Sequence, residues 1–315
     1  MYYIGVDLGG TNIAVGLVTR EGSIVNKRSV PTGADRPFEE IFADMGKCTL
    51  ALLDENGILA DEVDCVGIGT PGTVDPDQGV LLYANNFKYG RNVPMRGLMQ
   101  QYINKPVYLG NDANAAALGE VIAGAAKGVK NAVMVTLGTG VGGGIVIDGR
   151  VYEGQYSAAG EFGHIVLICG GEPCSCGRKG CWEAYASATA LVRQTKEAME
   201  SHPESLMHRI VKEAGKVSGR TAFDAARQGD AAGQQVGDRY IFYIAEGLLD
   251  LINIFRPEVL IIGGGICNEG ERLLNPLRAY LRANSYGEGL LPEQRLEVAK
   301  LGNDAGIIGA ALMHA

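Results

Sequence analysis

Two related α/β domains are what this 315-residue sequence predicts, and three observations carry the prediction. Apolar strand runs alternate with helical periodicity along most of the chain. The glycine-centred strand–turn–strand pattern at 4–18, IGVDLGGTNIAVGLV, returns as VMVTLGTGVGGGIVI at 133–147, an offset of 129 residues and far too long for a solenoid repeat. A dense run of cysteine, glycine and glutamate with one histidine, EFGHIVLICGGEPCSCGRKGCWE at 161–183, interrupts the second half.

The elements follow in order. Residues 2–8 and 13–18 read as apolar strands joined by Gly9-Gly10-Thr11-Asn12, and 23–30 follows the Glu21-Gly22 turn. This is a three-strand meander, not a strand feeding a helix. A helix is predicted over 37–54, where Phe38, Ile41, Phe42, Met45, Cys48 and Leu52 recur every three to four residues. Val63–Gly69 is a strand, and Val107–Leu109 is a short one running into Gly110-Asn111-Asp112, with an alanine-rich helix over about 113–126. Helical patterns dominate 185–217 and 221–255; Arg256-Pro257 breaks the last, and Val259–Ile262 is a buried strand ending in Gly263-Gly264-Gly265. A short helix closes the chain. The implied division is a small domain, 1–112 joined by a C-terminal helix at about 302–315, and a large domain, 113–301, holding the motif at 161–183.

Composition narrows the function. The 46 glycines, about double average usage, point to tight turns and close approach of backbone to ligand. A net charge of -8 argues against nucleic acid or an anionic membrane as partner. The sequence holds no run of about 18 apolar residues to span a bilayer, and MYYIGVDLGG enters a strand at once, so no signal peptide is expected. Seven cysteines is an odd number, and Cys48, Cys65 and Cys267 are scattered as reduced thiols are. The cytoplasm is the expected compartment.

Within 161–183, His164, Cys174, Cys176 and Cys181 offer three thiolates and one imidazole, a donor set that suits tetrahedral structural zinc. A disulfide or merely packed thiols are the alternatives. Glu161 and Glu183 flank these residues, as carboxylates fixed to accept hydrogen bonds from sugar hydroxyls or as solvated surface charges. The glycine hairpins offer backbone N–H groups to phosphate. Asp7, ending the first strand, is placed to bind magnesium through water or to stabilise its turn as an Asx residue. Asp112, where a strand meets a helix, is an N-cap, a base for a hydroxyl attacking a γ-phosphate, or both, with Asn111 beside it to orient that hydroxyl. Gly67, Gly69 and Gly72 fit G-x-G-x-x-G, as do Gly138, Gly140 and Gly143, but no helix follows either set, so dinucleotide binding is not expected. A P-loop motif is also missing.

In combination these residues resemble the ROK family of sugar kinases and repressors, within the actin-like ATPase (ribonuclease H-like) superfamily, over essentially the whole chain. Asp7-Leu8-Gly9-Gly10-Thr11 is similar to the family's first phosphate loop, Leu137–Gly144 to its second, and Gly263-Gly264-Gly265 to its adenosine motif. Glu161-x-Gly163-His164 and Cys174-x-Cys176-Gly177-x-x-Gly180-Cys181-x-Glu183 match its two signatures. The resemblance implies duplicated domains with a cleft between them and a zinc-stapled lobe in the second. It implies ATP and magnesium at Asp7, Gly9, Gly10, Thr11, Asn12, Gly138, Thr139, Gly140, Gly264 and Gly265. It further implies zinc on His164, Cys174, Cys176 and Cys181, and a sugar at Gly72, Asn86, Asn111, Asp112, Glu161, His164 and Glu183, with Asp112 the catalytic base. Near Asn86 the tryptophan common in the family is missing, and Tyr89 stands nearby. The likeness leans toward the family's bacterial ATP-dependent glucokinases, so glucose to glucose 6-phosphate is the expected reaction. Another hexose or N-acetylhexosamine (N-acetylglucosamine, N-acetylmannosamine, mannose, allose or fructose) is the alternative acceptor. A non-catalytic sugar-sensing regulator would need a DNA-binding domain ahead of the first phosphate loop, where three residues precede Ile4. A homodimer or homotetramer is the expected assembly.

Overall fold

A computed structural model describes residues 1–287 and 289–314. Strands β1 (Tyr2–Leu8), β2 (Asn12–Thr19) and β3 (Ile24–Pro31) form the expected antiparallel meander. Helix α1 (Phe38–Glu55) buries Phe38, Ile41, Phe42, Met45 and Leu52 on one face, as their spacing requires. Strand β4 (Val63–Thr70) is followed by three short strands that the sequence reading does not contain: β5 (Thr73–Asp75), β6 (Val80–Tyr83) and β7 (Arg91–Val93), an antiparallel sheet of their own. Then come α2 (Met95–Gln100), β8 (Val107–Asn111) and α3 (Asp112–Ala123). The second glycine hairpin is β9 (Ala132–Leu137) and β10 (Val141–Ile147), with β11 (Arg150–Val151) after it. Helices follow: α4 (Glu183–Ala186), α5 (Ala188–Ser201), α6 (Met207–Ala214), α7 (Thr221–Arg227) and α8 (Ala231–Phe255). Asp230 caps α8 by accepting from Gly233 N at 2.6 Å, and left-handed Arg256 (φ 39°) ends it just before Pro257. The chain finishes with β12 (Val259–Gly263), α9 (Glu271–Asn284), β13 (Arg295–Val298) and α10 (Asp304–Leu312). The last helix is shorter than the expected 302–315, and Ala315 lies outside the described residues.

The chain packs as two compact units. The first takes Met1–Ala132, Gly144–Gly160 and Ala299–Ala315; the second takes Val133–Gly143 and Glu161–Val298. The sequence-based boundary after 112 is therefore drawn differently here: α3 belongs to the first unit. The cause is its packing on α10. A Cβ on Gly309 would lie 1.6 Å from Ala115 O, and one on Gly119 would lie 2.2 Å from Ala305 O, so the helices touch backbone to backbone. Glu120, fully buried on α3, locks the arrangement. Its Oε1 accepts from Lys300 N at 2.9 Å and Leu301 N at 2.8 Å, and its Oε2 from Ala125 N at 2.7 Å. Three backbone donors offset the desolvation of this carboxylate.

The first unit's sheet has the order β3-β2-β1-β4-β8, with β1, β4 and β8 parallel, over a core that includes Ile4, Val6, Leu17, Phe42, Met45, Ile68 and Leu109. The other five-stranded sheet runs β11-β10-β9-β12-β13, and β12 pairs with β13 in parallel. In the second unit Trp182 is fully buried, and its Nε1 donates to Tyr243 O on α8 at 2.7 Å. That anchor fixes the end of the cysteine-rich segment against the longest helix. No helix among the described residues is long and apolar enough to cross a membrane.

Candidate active site and metal centre

In the first unit, strand register gathers the acidic residues. Asp7 pairs with Gly69 across β1 and β4, Gly69 with Gly110 across β4 and β8, and Asn111 and Asp112 follow at the carboxyl end. Carboxyl ends of parallel strands are where open α/β sheets bind ligands. The glycine turn after Asp7 closes through Gly9 N donating to Asn12 O at 3.0 Å. Buried Thr32, which no sequence signal marked, braces it by donating from Oγ1 to Gly9 O at 2.7 Å. Thr11 and Asn12 stay exposed.

Asp112 does not cap α3, contrary to one reading of its position. The cap is Asn111, whose Oδ1 accepts from Ala113 N at 2.9 Å and Asn114 N at 3.2 Å. Asn111 Nδ2 donates to Gly72 O at 3.4 Å, which leaves its second N–H free. Asp112 occupies the first helical position, with Oδ1 accepting from Ala113 N at 2.8 Å. Burial pushes its carboxyl above the ordinary range, against the pull of that N–H. Burial, and then the charge of Asp112, raise Asp7 to about 6. Neither carboxylate has a lysine or arginine partner among the described residues, and two close, partly buried oxygen donors without a cation partner fit a hard divalent ion such as magnesium. Asn86 is exposed and stands near the first turn, since a Cβ on Gly10 would lie 3.7 Å from its own Cβ.

In the second unit, the turn from Gly138 to Gly140 closes through Gly138 N donating to Gly140 O at 3.0 Å. Helix α5 starts against it: Ala188 N donates to Gly138 O at 2.8 Å and Thr189 Oγ1 to Thr139 O at 2.8 Å. Gly264, at φ 106°, brings the 263–265 turn alongside, where any Cβ would meet Leu137 O at 2.1 Å. The second glycine turn and the triple glycine are thus neighbours. Gly265 borders a cavity of about 490 Å³ that Arg220, Arg227 and Asn268 also line.

The four candidate metal ligands converge. Donor atoms of His164, Cys174, Cys176 and Cys181 all lie within 4.8 Å of one another. Cys174 Sγ is 3.6 Å from His164 Nδ1, and Cys176 Sγ is 3.6 Å from Cys181 Sγ. Zinc–sulfur bonds of about 2.3 Å at tetrahedral angles give edges of about 3.7 Å, so the cluster fits zinc and is too wide for a disulfide. All seven cysteines are free thiols, and exposed Cys169 stays outside the cluster. Because Nδ1 faces the cluster, Nε2 is the ring nitrogen left to meet a ligand. Glu183 touches both halves of this unit: Oε2 accepts from Val141 N at 3.0 Å, and Oε1 accepts from Ser175 Oγ at 3.2 Å. Glu161 is exposed at the head of the short turn carrying His164.

An α/β chain with two glycine turns, a paired-aspartate strand end and a His-Cys cluster is the class this architecture defines. The chain belongs to the ROK family, whose model matches residues 3–315. It is 38% identical to a glucokinase of Thermotoga maritima over 98% of this chain and 95% of that one. The crystal structure of a ROK family glucokinase from Streptomyces griseus, in complex with glucose and AMPPNP, is 37% identical, with a TM-score of 0.78 and coverage of 99% of this chain and 98% of that one. A ROK hexokinase from Thermus thermophilus superposes with a TM-score of 0.82 at 34% identity, covering 99% and 97%.

Proposed function

We propose that this chain is an ATP-dependent glucokinase, moving the γ-phosphoryl group of ATP to the 6-hydroxyl of glucose. The observation that carries the reading is the state of Asp112: half-buried, relieved of capping by Asn111, and raised in pKa beside Asp7 at the carboxyl edge of a parallel sheet. A carboxylate so placed is suited to take the proton of an attacking hydroxyl. Magnesium, held through Asp7, would neutralise the phosphates when bound. Backbone N–H groups of Gly9–Asn12 and of Gly138–Gly140 would hold the phosphate oxygens, and Gly264 and Gly265 would border the adenosine. Gly72, Asn86, Asn111, Glu161, His164 through Nε2, and Glu183 would bind the sugar, Asn111 with the amide N–H that its contact to Gly72 leaves free. A structural zinc on His164 and the three cysteines would fix that ring. Duplicated actin-like domains, a homo-oligomer and a cytoplasmic location belong to the same reading.

The test is ATP consumption by the purified protein with magnesium against a panel of hexoses and N-acetylhexosamines. Selective turnover of glucose is the expected result. Turnover of an acetylated sugar keeps the mechanism and changes the acceptor; none with any sugar, at full zinc content, favours the regulator instead.

A further inference from the structure

Glu183 stands between the cysteine loop and the second glycine turn, and its two oxygens are divided between them. Ser175 lies between two of the candidate ligands, Cys174 and Cys176, so a metal that fixes those sulfurs also fixes the Ser175 hydroxyl. That hydroxyl donates to Glu183 Oε1 at 3.2 Å. The opposite oxygen accepts the Val141 amide at 3.0 Å, at the residue where the glycine turn becomes β10. The fit is close: a Cβ on Gly140 would lie 2.4 Å from Glu183 Oε2. Each carboxylate oxygen keeps a second lone pair, so these contacts leave Glu183 able to accept from a sugar hydroxyl.

We infer that Glu183 is a positioning residue for the phosphate-binding turn: through Ser175 and Val141 it transmits the order of the metal loop to residues 138–141, so that the metal governs nucleotide affinity as well as the fold of the loop. The inference rests on the kinase reading for the identity of the nucleotide, but not for the contact itself. Without the metal, Ser175 is released together with Cys174, whose Sγ lies 3.8 Å from the same Oε1; Glu183 loses its hold on the cysteine loop, and the Val141 amide exchanges with water. A hydrogen bond to a charged group is worth about 1.5–3 kcal/mol, so complete loss corresponds to tenfold or more.

Two readouts test this on the full chain with its metal: amide hydrogen exchange at Val141, and calorimetric binding of AMPPNP with magnesium. Chelation of the metal is expected to speed Val141 exchange about tenfold and to weaken AMPPNP by a similar factor. Ser175→Ala, at full metal content, should give a smaller change of the same sign in both, and chelation of that variant should add less than chelation of the parent does. Glu183→Gln should keep Val141 protected, because an amide oxygen still accepts, while glucose binding falls. Unchanged Val141 exchange in Ser175→Ala and in the chelated protein overturns the inference. If chelation unfolds the second unit, Ser175→Ala decides alone. Failure of the metal-loaded parent protein to bind AMPPNP overturns the kinase reading instead, and Val141 exchange still reports on the contact.

Discussion

Asp112 and Asp7 are two carboxylates that the fold makes expensive to ionise, and each leaves a measurable mark. Asp112→Asn keeps size and hydrogen bonding but cannot take a proton, so kcat should fall about 10²–10⁴-fold while glucose affinity stays within about threefold. Single-turnover rates and calorimetric glucose titration together check it, and near-normal kcat would remove the base. Because burial raises Asp112, the acid limb of kcat/KM should lie above the ordinary carboxylate range, activity falling as pH drops through it. Asp7 gives the opposite lesson. Its folded value of about 6 exceeds its ordinary 3.8, so its ionisation costs the ligand-free fold stability, a cost absent below pH 3.8 and complete above 6. Asp7→Asn should therefore stabilise the ligand-free protein at pH 8 by about 1–3 kcal/mol, with little gain near pH 4, while abolishing turnover. Denaturant melts at the two pH values measure this; a destabilised variant at pH 8 would refute the burial argument. At this scale the sequence singled out both aspartates but offered Asp112 rather than Asn111 as the cap, since the two are equally good capping types and only backbone geometry separates them.

The elements that position these residues were legible where periodicity is strong. The opening meander and α1 fall within a few residues of expectation, because each buries a continuous stripe; the helical pattern expected over 221–255 ends where predicted but is broken before Asp230, the cap of α8, into α7 and α8. The small sheet β5–β7 was not, since three or four residues hold too few alternations to read. Helix α9 carries Leu273, Leu274, Leu277 and Leu281 at helical spacing, a signal masked by Pro276, which the helix nevertheless contains. The contact between α3 and α10 left no pattern at all: a helix of alanines and glycines has no apolar stripe to detect, and its information lies in the absence of side chains. That absence can be tested. Gly309→Ala would ordinarily strengthen a helix by about 1 kcal/mol. Here its Cβ meets Ala115 O, so it should instead destabilise by about 2–3 kcal/mol. Urea melts decide, and a stabilised variant would mean the helices can part at no cost.

Over the whole molecule, the glycine excess proved to serve packing as much as ligand binding. A Cβ on Gly5 would lie 1.9 Å from Ile307 O, and one on Gly67 would lie 1.7 Å from Ala310 O, so α10 rests directly on β1 and β4. The first unit is therefore held by backbone proximity and an apolar core, with none of the candidate metal ligands in it. The second unit contains all four, and its cysteine loop is otherwise secured mainly by Trp182 and a few turn hydrogen bonds. Zinc binding to a preformed thiolate set contributes directly to folding free energy. Metal analysis should accordingly find about one zinc per chain, and chelation should act unequally on the two units. Scanning calorimetry of the chelated protein is expected to resolve a transition for the second unit displaced downward by more than about 10 °C, with that of the first unit moved far less. Amide exchange assigned to each unit identifies which one melts first. Equal displacement of both, or a metal-free protein as stable as the native one, would mean that the His164–Cys181 cluster holds nothing the fold depends on.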